Sequence, residues 1–468
     1  MRTKMWLLAA PALTAVIACL VPSGALAAAE TQAARLAVEV GIPGGVTAVA
    51  AQGNMAVALG PALGSVIIVD SITGSIRSTS ALPSTTSGVA LSLDGSSAFV
   101  ATDSQIFVLD TATGSVVRSK DYGSETMPNR VLGGEQPCGS ALGMKLRSPA
   151  MSPDGRHLNF IGDCQGWPVL WSIDPVTMSV TSKSFTYLGR GGLGFPIGPL
   201  AAFDDRVIVN GRKPDDYCLD VNNCGPGSIV ITSRGDIEKG FQYGSKFPAG
   251  PFSALTRDPV TGSLLASKGD ALVWVDPESG MQTRSIEGVG SNVTDLKVDS
   301  STGLIYARDD QGTVVVDPAA GQVSGMLMEA LDAVSGGRGY HATATGLDII
   351  DVRSGFVATR PLSVAAKVGR PVNGTVKATL SWQPPTSAGS APVTGYRVQA
   401  SSYRNAKDKK PTVVNYRVSA GATSSRLTLK QVRSTNAKSP AFYAFTVTPI
   451  SAIGDGAYGS AQIAAPRG

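Results

Sequence analysis

Apolar and polar residues alternate along this chain in short runs, and the runs end in Asp, Gly, Ser or Thr. Alternation of period two marks half-buried strands, and these terminating residues tolerate the backbone angles of tight turns. Long helical periodicity is absent. From Gly88 to Tyr122 the segments GVALSLDG, SSAFVATD, SQIFVLDTATG and SVVRSKDY follow one another and predict four strands. The hairpin inside them, FVLDTATGSVV from Phe107, recurs as VDSITGSI from Val69, IDPVTMSV from Ile173, VDPESGMQ from Val275, VDPAAGQV from Val316 and IDVRSGFV from Ile350. One four-strand unit is being repeated, with a period of about 40 residues.

Seven units are predicted, near 46–82, 83–123, 148–185, 198–244, 250–288, 291–328 and 329–362. In the fourth, VITSRGDI stands where the Asp-x-x-Thr-Gly turn belongs, which makes six the fallback count. One small sheet cannot bury both faces, whereas sheets stacked radially can, and a period near 40 is that of a propeller blade. The expected fold is therefore all-β: a seven-bladed β-propeller, six-bladed as the fallback, followed by a second domain. The segment RLAVEV, Arg35 to Val40, precedes the first complete unit and is placed to add a strand to the last blade. LSLDGSSAFVATD and MSPDGRHLNFIG resemble the blade motifs of bacterial YVTN-type and TolB-type propellers, where Ser-Pro-Asp-Gly turns between the two innermost strands. That resemblance implies the fold and leaves the function open, because propellers serve as lyases, hydrolases, lactonases and binding proteins.

After Leu362 the pattern changes. LSWQPP (380–385), GYRVQA (395–400), RLTLKQV (426–432) and YAFTVTPISAIGDGAYG (443–459) resemble a fibronectin type III domain. The resemblance implies a β-sandwich with Trp382 and Tyr396 in its core and Tyr443 at the tyrosine corner. Ile453 stands where that family's final motif prefers Asn.

The chain opens with Arg2 and Lys4, an apolar run and the small-residue site Ala25-Leu26-Ala27. This is the layout of an export signal over 1–27, too short for a comfortable membrane span. No later segment is apolar enough to serve as one, so an extracellular protein without a transmembrane segment is expected. Val16 to Cys19 also fits a loose lipobox, the alternative in which Cys19 is lipidated. The expected organisation is a signal peptide (1–27), a propeller (28–362) and a fibronectin type III domain (363–468). With Cys19 removed, Cys138, Cys164, Cys218 and Cys224 remain, and an even count in an exported protein implies two disulfides. Three pairings are open on paper.

Charge separates the two parts. Residues 363–468 carry 14 Lys+Arg and 2 Asp+Glu, whereas 28–362 carry 24 and 33. An overall formal charge of +5 thus joins an acidic body to a basic tail domain. Arg404, Lys407, Lys409 and Lys410 cluster in SYRNAKDKKP, a predicted strand-to-strand loop and an anionic-polymer patch. Such a surface concentrates polyanions, less so as salt rises. Cell-wall or extracellular polysaccharide, or another envelope protein, is the expected partner, and nucleic acid is set aside by compartment.

Propeller geometry places the long connections. Residues 124–147, 186–197 and 212–227 all leave from one face, around the third and fourth blades. Cys138 and Cys164 emerge there, and Cys218 and Cys224 bracket LDVNN, so the pairings Cys138–Cys164 and Cys218–Cys224 are predicted. Long loops on a rigid scaffold are where binding usually resides. The candidate contacts are Trp167, Trp171, Asp163, Arg190, Asp215, Asp216 and Tyr217. Asp215, Asp216, Asp220, Asn222 and Asn223 offer oxygen ligands of the kind Ca²⁺ takes, without EF-hand spacing, so no cofactor or metal is assigned.

Only two histidines, His157 and His341, occur, and they lie in different units. A Ser-His-Asp triad or a histidine metal centre needs a convergent cluster, and neither a Gly-x-Ser-x-Gly elbow nor His-Glu-x-x-His is present. No catalytic residue is assigned. The preferred reading is a secreted noncatalytic binding or scaffold protein of the bacterial cell envelope. The competing reading is a carboxylate-based polysaccharide hydrolase or lyase, and a third is a purely structural extracellular protein.

Overall fold

A computed structural model describes residues 36–61, 64–128, 135–137, 146–164, 167–185, 196–212, 226–232, 252–353, 355–434 and 440–466. Among them every regular element is a strand, as the period-two patterning requires. The first sheet runs through Ala48–Gln52, Met55–Leu59, Ser65–Asp70 and Ile76–Ala81, each strand antiparallel to the last. The second (86–121), third (146–185), fifth (254–286) and sixth (295–327) repeat that order, and the fourth shows three strands over 196–232. The seventh takes three strands from 333–351, and its fourth is the early strand Leu36–Gly41, paired antiparallel with Gly346–Asp351.

Packing explains the unequal strands. The first strands of consecutive sheets lie against one another in chain order, and that of the seventh lies against that of the first. Middle strands are covered on both faces by neighbouring sheets, so every residue of Met55–Leu59 and Ala271–Val275 is buried. Fourth strands lie outside, and Val116–Asp121 (VVRSKD) is almost wholly exposed.

The recurring turn has a local cause. Asp110 Oδ1 accepts the N–H of Ala112 at 3.0 Å and of Thr113 at 2.8 Å, and the Gly114 N–H donates to Asp110 O at 2.8 Å. Gly114 sits at φ +76°, where a side chain strains the backbone. Asp70, Asp174, Asp276 and Asp317 build the same turn. Three of these turns also offer a carbonyl to an arginine of the preceding sheet: Arg118 donates to Val176 O, Arg284 to Pro318 O, and Arg206 to Pro277 O at 3.2 Å. The motif therefore closes a hairpin and ties two sheets together.

Beyond residue 360 two further sheets pack face to face. One holds Pro361–Val368, Thr375–Pro385 and Ser424–Lys430; the other holds Thr412–Ser419, Val393–Tyr403, Phe442–Ser451 and Gly459–Ala464. Their inner faces share one core, in which Trp382 meets Tyr396 edge-on with centroids 5.5 Å apart. Tyr443 is fully buried; its hydroxyl donates to Lys430 O at 3.3 Å and accepts the Val432 N–H at 3.2 Å.

Residues 32–468 form one compact unit. Val357 pairs both ways with Met326 of the sixth sheet, at 2.9 and 3.0 Å. Ala457 and Ile453, from the connection between the last two strands, pack into the core of the fifth and sixth sheets beside Val289, Leu296 and Met326. The Ser387 hydroxyl donates to Ser324 O at 2.9 Å and that of Thr386 to Gly288 O at 3.2 Å. The C-terminal sandwich is thus seated on those sheets by a continuous apolar contact.

The predicted leader 1–27 with Cys19 lies outside the described residues. So do Cys138, Arg190, Asp215, Asp216, Tyr217, Cys218, Asp220, Asn222, Asn223 and Cys224.

Candidate functional site

Of the predicted contacts, Trp171 is corrected. Its side chain is fully buried, stacked on Phe160 at 6.2 Å and edge-on to Tyr122 at 6.2 Å. It sits on a middle strand facing the neighbouring sheet and belongs to the core between them. Asp163, Cys164 and Trp167 are placed by backbone register alone: Asp163 lies opposite Pro168 and Cys164 opposite Trp167. All three stand where the second strand of the third sheet passes into the third strand. The connection from the second to the third sheet carries its own small hairpin, Thr126–Pro128 against Glu135–Pro137.

The same kind of strand end in the sixth and seventh sheets carries a charged network that sequence reading passed over. Arg308 closes the second strand of the sixth sheet and donates to Asp332 Oδ1 at 2.6 Å. Asp332 Oδ2 accepts the Ala342 N–H at 2.8 Å and lies 3.7 Å from His341 Nδ1. His341 Nδ1 is 2.8 Å from Ala330 O, so this nitrogen carries the proton, and Asp348 faces His341 across the hairpin. Burial pushes Asp332 up, yet hydrogen bonds from His341 and Ala342 and the charge of Arg308 hold it below the usual carboxylate range. The Asp332 carboxylate raises His341, against burial and with help from the Ala330 carbonyl. Burial raises Asp348, with His341 opposing it. The turn ATATG after His341 would have given the His341–Asp348 register; the approach of Asp332 and Arg308 required the packing of two sheets. Among the described residues no group of three or more His, Cys, Asp or Glu side chains is arranged to hold a metal ion.

The second charged feature is in the sandwich. The residues seated on the sheets, Thr386, Ser387, Ile453 and Ala457, belong to the two connections at one end. Val393–Tyr403 starts at that end and runs eleven residues away from it, roughly 35 Å. At the far end Arg404, Lys407, Lys409 and Lys410 are all exposed. Lys367, Arg370 and Lys377 flank the neighbouring turn, and Lys430 and Arg433 the next, again all exposed. The acid at this end, Asp408, is spent on architecture. Its side chain is 5% exposed and accepts from Arg404 N and Nε, both at 3.1 Å, and from Lys410 N at 3.2 Å. Arg404 first, then these backbone donors, hold the carboxyl down at about 2. The loop is therefore shaped by one carboxylate and presents cations to solvent.

No family model matches the chain, and none of the curated proteins compared with it matches.

Proposed function

We propose that this is an exported, noncatalytic binding or scaffold protein of the bacterial cell envelope. In this reading the seven sheets are a seven-bladed propeller (28–362) and the C-terminal sandwich a fibronectin type III domain (363–468) that anchors the protein to an anionic polymer. The propeller reading is supported by the circuit of first strands and by the early strand completing the last sheet. The sandwich reading is supported by the Trp382–Tyr396 contact and the Tyr443 corner. The observation that carries the function is the basic pole. Cations from three turns gather at the end of the sandwich remote from its seat, where a polymer meets them without touching the acidic body. The long loops over 124–147, 186–197 and 212–227 are read as a second, ligand-binding face.

The test is co-sedimentation with purified cell walls across a salt series, using the full chain and a K407Q/K409Q/K410Q variant. The full chain is kept because removing the sandwich would strip Ala457 and Ile453 from a core they share with the sheets. Pelleting at low salt, released by added salt and weakened in the variant, is expected. Retention that ignores both salt and the substitutions would overturn the anchor.

A further inference from the structure

We infer that the outer face of the three-stranded sheet in the sandwich is a docking track for a linear alditol-phosphate polymer of the wall. This deepens the proposed function and rests on the sandwich being the anion anchor. The strands Pro361–Val368, Thr375–Pro385 and Ser424–Lys430 contain no Asp or Glu. Alternation turns Val376, Ala378, Leu380, Leu427 and Leu429 into the core and leaves Lys367, Lys377, Arg426 and Lys430 exposed on the other side. Among these cations stand the exposed hydroxyls of Thr375, Thr379 and Thr428, and those of Ser381 and Ser424 lie in the next row.

Register fixes the layout. Lys367, Thr379 and Arg426 form one row across the sheet; Lys377 lies opposite Thr428 and Thr375 opposite Lys430. With strands about 4.8 Å apart and residues rising about 3.3 Å, Lys377 stands about 8 Å from each of the other three cations. Among the described residues none of the four is paired with an acid, so each is available to an external anion. A polymer with one anion per short repeat meets a new cation at each step, with hydroxyl donors between.

The chemistry of the face selects phosphate over sugar. Its exposed positions carry no aromatic ring, so a glycan chain finds nothing to stack on. Lysine serves as a point charge that suits phosphate oxygens, and threonine hydroxyls add hydrogen bonds to them. A sheet face also lacks the protruding element that enters a nucleic-acid groove.

The test is titration of the full chain with poly(glycerol phosphate) at low salt, comparing wild type, a face variant K377Q/R426Q/K430Q and the loop variant K407Q/K409Q/K410Q. Each variant removes three exposed charges, and their melting temperatures serve as the folding control. The face variant is expected to lose about a hundredfold in affinity, and the loop variant much less. Full binding by the face variant with loss in the loop variant overturns this assignment and leaves the anchor standing. The same holds if the protein pellets with walls yet ignores the polymer. Equal binding of a polyuronate or of single-stranded DNA, lost equally in the face variant, overturns the phosphate-polymer assignment. Failure to bind either walls or polymer removes both readings.

Discussion

The side-chain amide of Gln311 and the main chain of Tyr458 exchange two hydrogen bonds, Gln311 Nε2 to Tyr458 O at 2.9 Å and Tyr458 N to Gln311 Oε1 at 2.8 Å. A glutamine from the sixth sheet thus acts as one more rung beside the last strand of the sandwich. Together with the shared apolar core around Ala457, it makes the two parts one mechanical body.

That body should unfold as one. We expect a single calorimetric transition for the wild-type protein. Gly389→Ala should break the coupling, because Gly389 holds φ +78° and an added Cβ would lie 2.2 Å from Phe356 O. Strain of this kind costs more than about 1 kcal/mol. A second, earlier transition in the variant is the expected record; one unshifted peak would refute the tight seat.

Arg360 should matter at the same junction. It donates to Asp309, whose side chain is fully buried, and to Asp310 at 3.3 Å. Burial outweighs these partners and holds Asp309 above the ordinary carboxylate range. Removing the cation in Arg360→Met strands a buried charge and should cost about 3 kcal/mol. Urea unfolding at pH 7 measures it, and the loss should shrink in acid, where Asp309 is neutral.

Acid should unfold the protein through its turns. The carboxyls of Asp110, Asp174 and Asp276 lie below their usual range, first because each accepts the N–H three residues on; for Asp70 the first cause is Arg77. A depressed folded value contributes stability above the unfolded pKa, about 3.9, and loses it as pH falls through the folded one. Stability is therefore expected to fall steeply below about pH 4, and Asp110→Asn should make the slope shallower. Proton uptake on unfolding at pH 3 checks this directly.

His341 should give the opposite dependence. Its folded pKa is raised by Asp332, so its contribution is complete below about 6.5 and disappears as pH rises through the folded value. A ring-proton titration should place its midpoint above that of an unfolded histidine, and Asp332→Asn should lower it.

Trp171→Ala tests the corrected role of that residue. Emptying the stack on Phe160 and Tyr122 should cost about 3–5 kcal/mol. Wall binding by whatever fraction remains folded should be unchanged, since Trp171 reaches no surface. A binding loss at unaltered melting temperature would restore it as a contact.

What the sequence alone determined is local. Alternation, Asp-led turns and the 40-residue recurrence specify strands and hairpins, because period-two burial and Asx hydrogen bonds involve only near neighbours. The cations of SYRNAKDKKP were equally legible, since a loop between strands leaves charges in water. Tertiary structure decided the rest. Whether Trp171 faced ligand or neighbour depended on the sheet stacked against it, and the His341–Asp332–Arg308 network joins strand ends from two sheets. The row from Lys367 through Thr379 to Arg426 crosses three strands, the last two of which are separated in the chain by two strands of the other sheet. Which end of the sandwich is seated, and hence that its basic end points outward, was set by where Ile453 and Ala457 could bury apolar surface. Long-range packing of this kind couples residues far apart in the chain, and no local pattern records it.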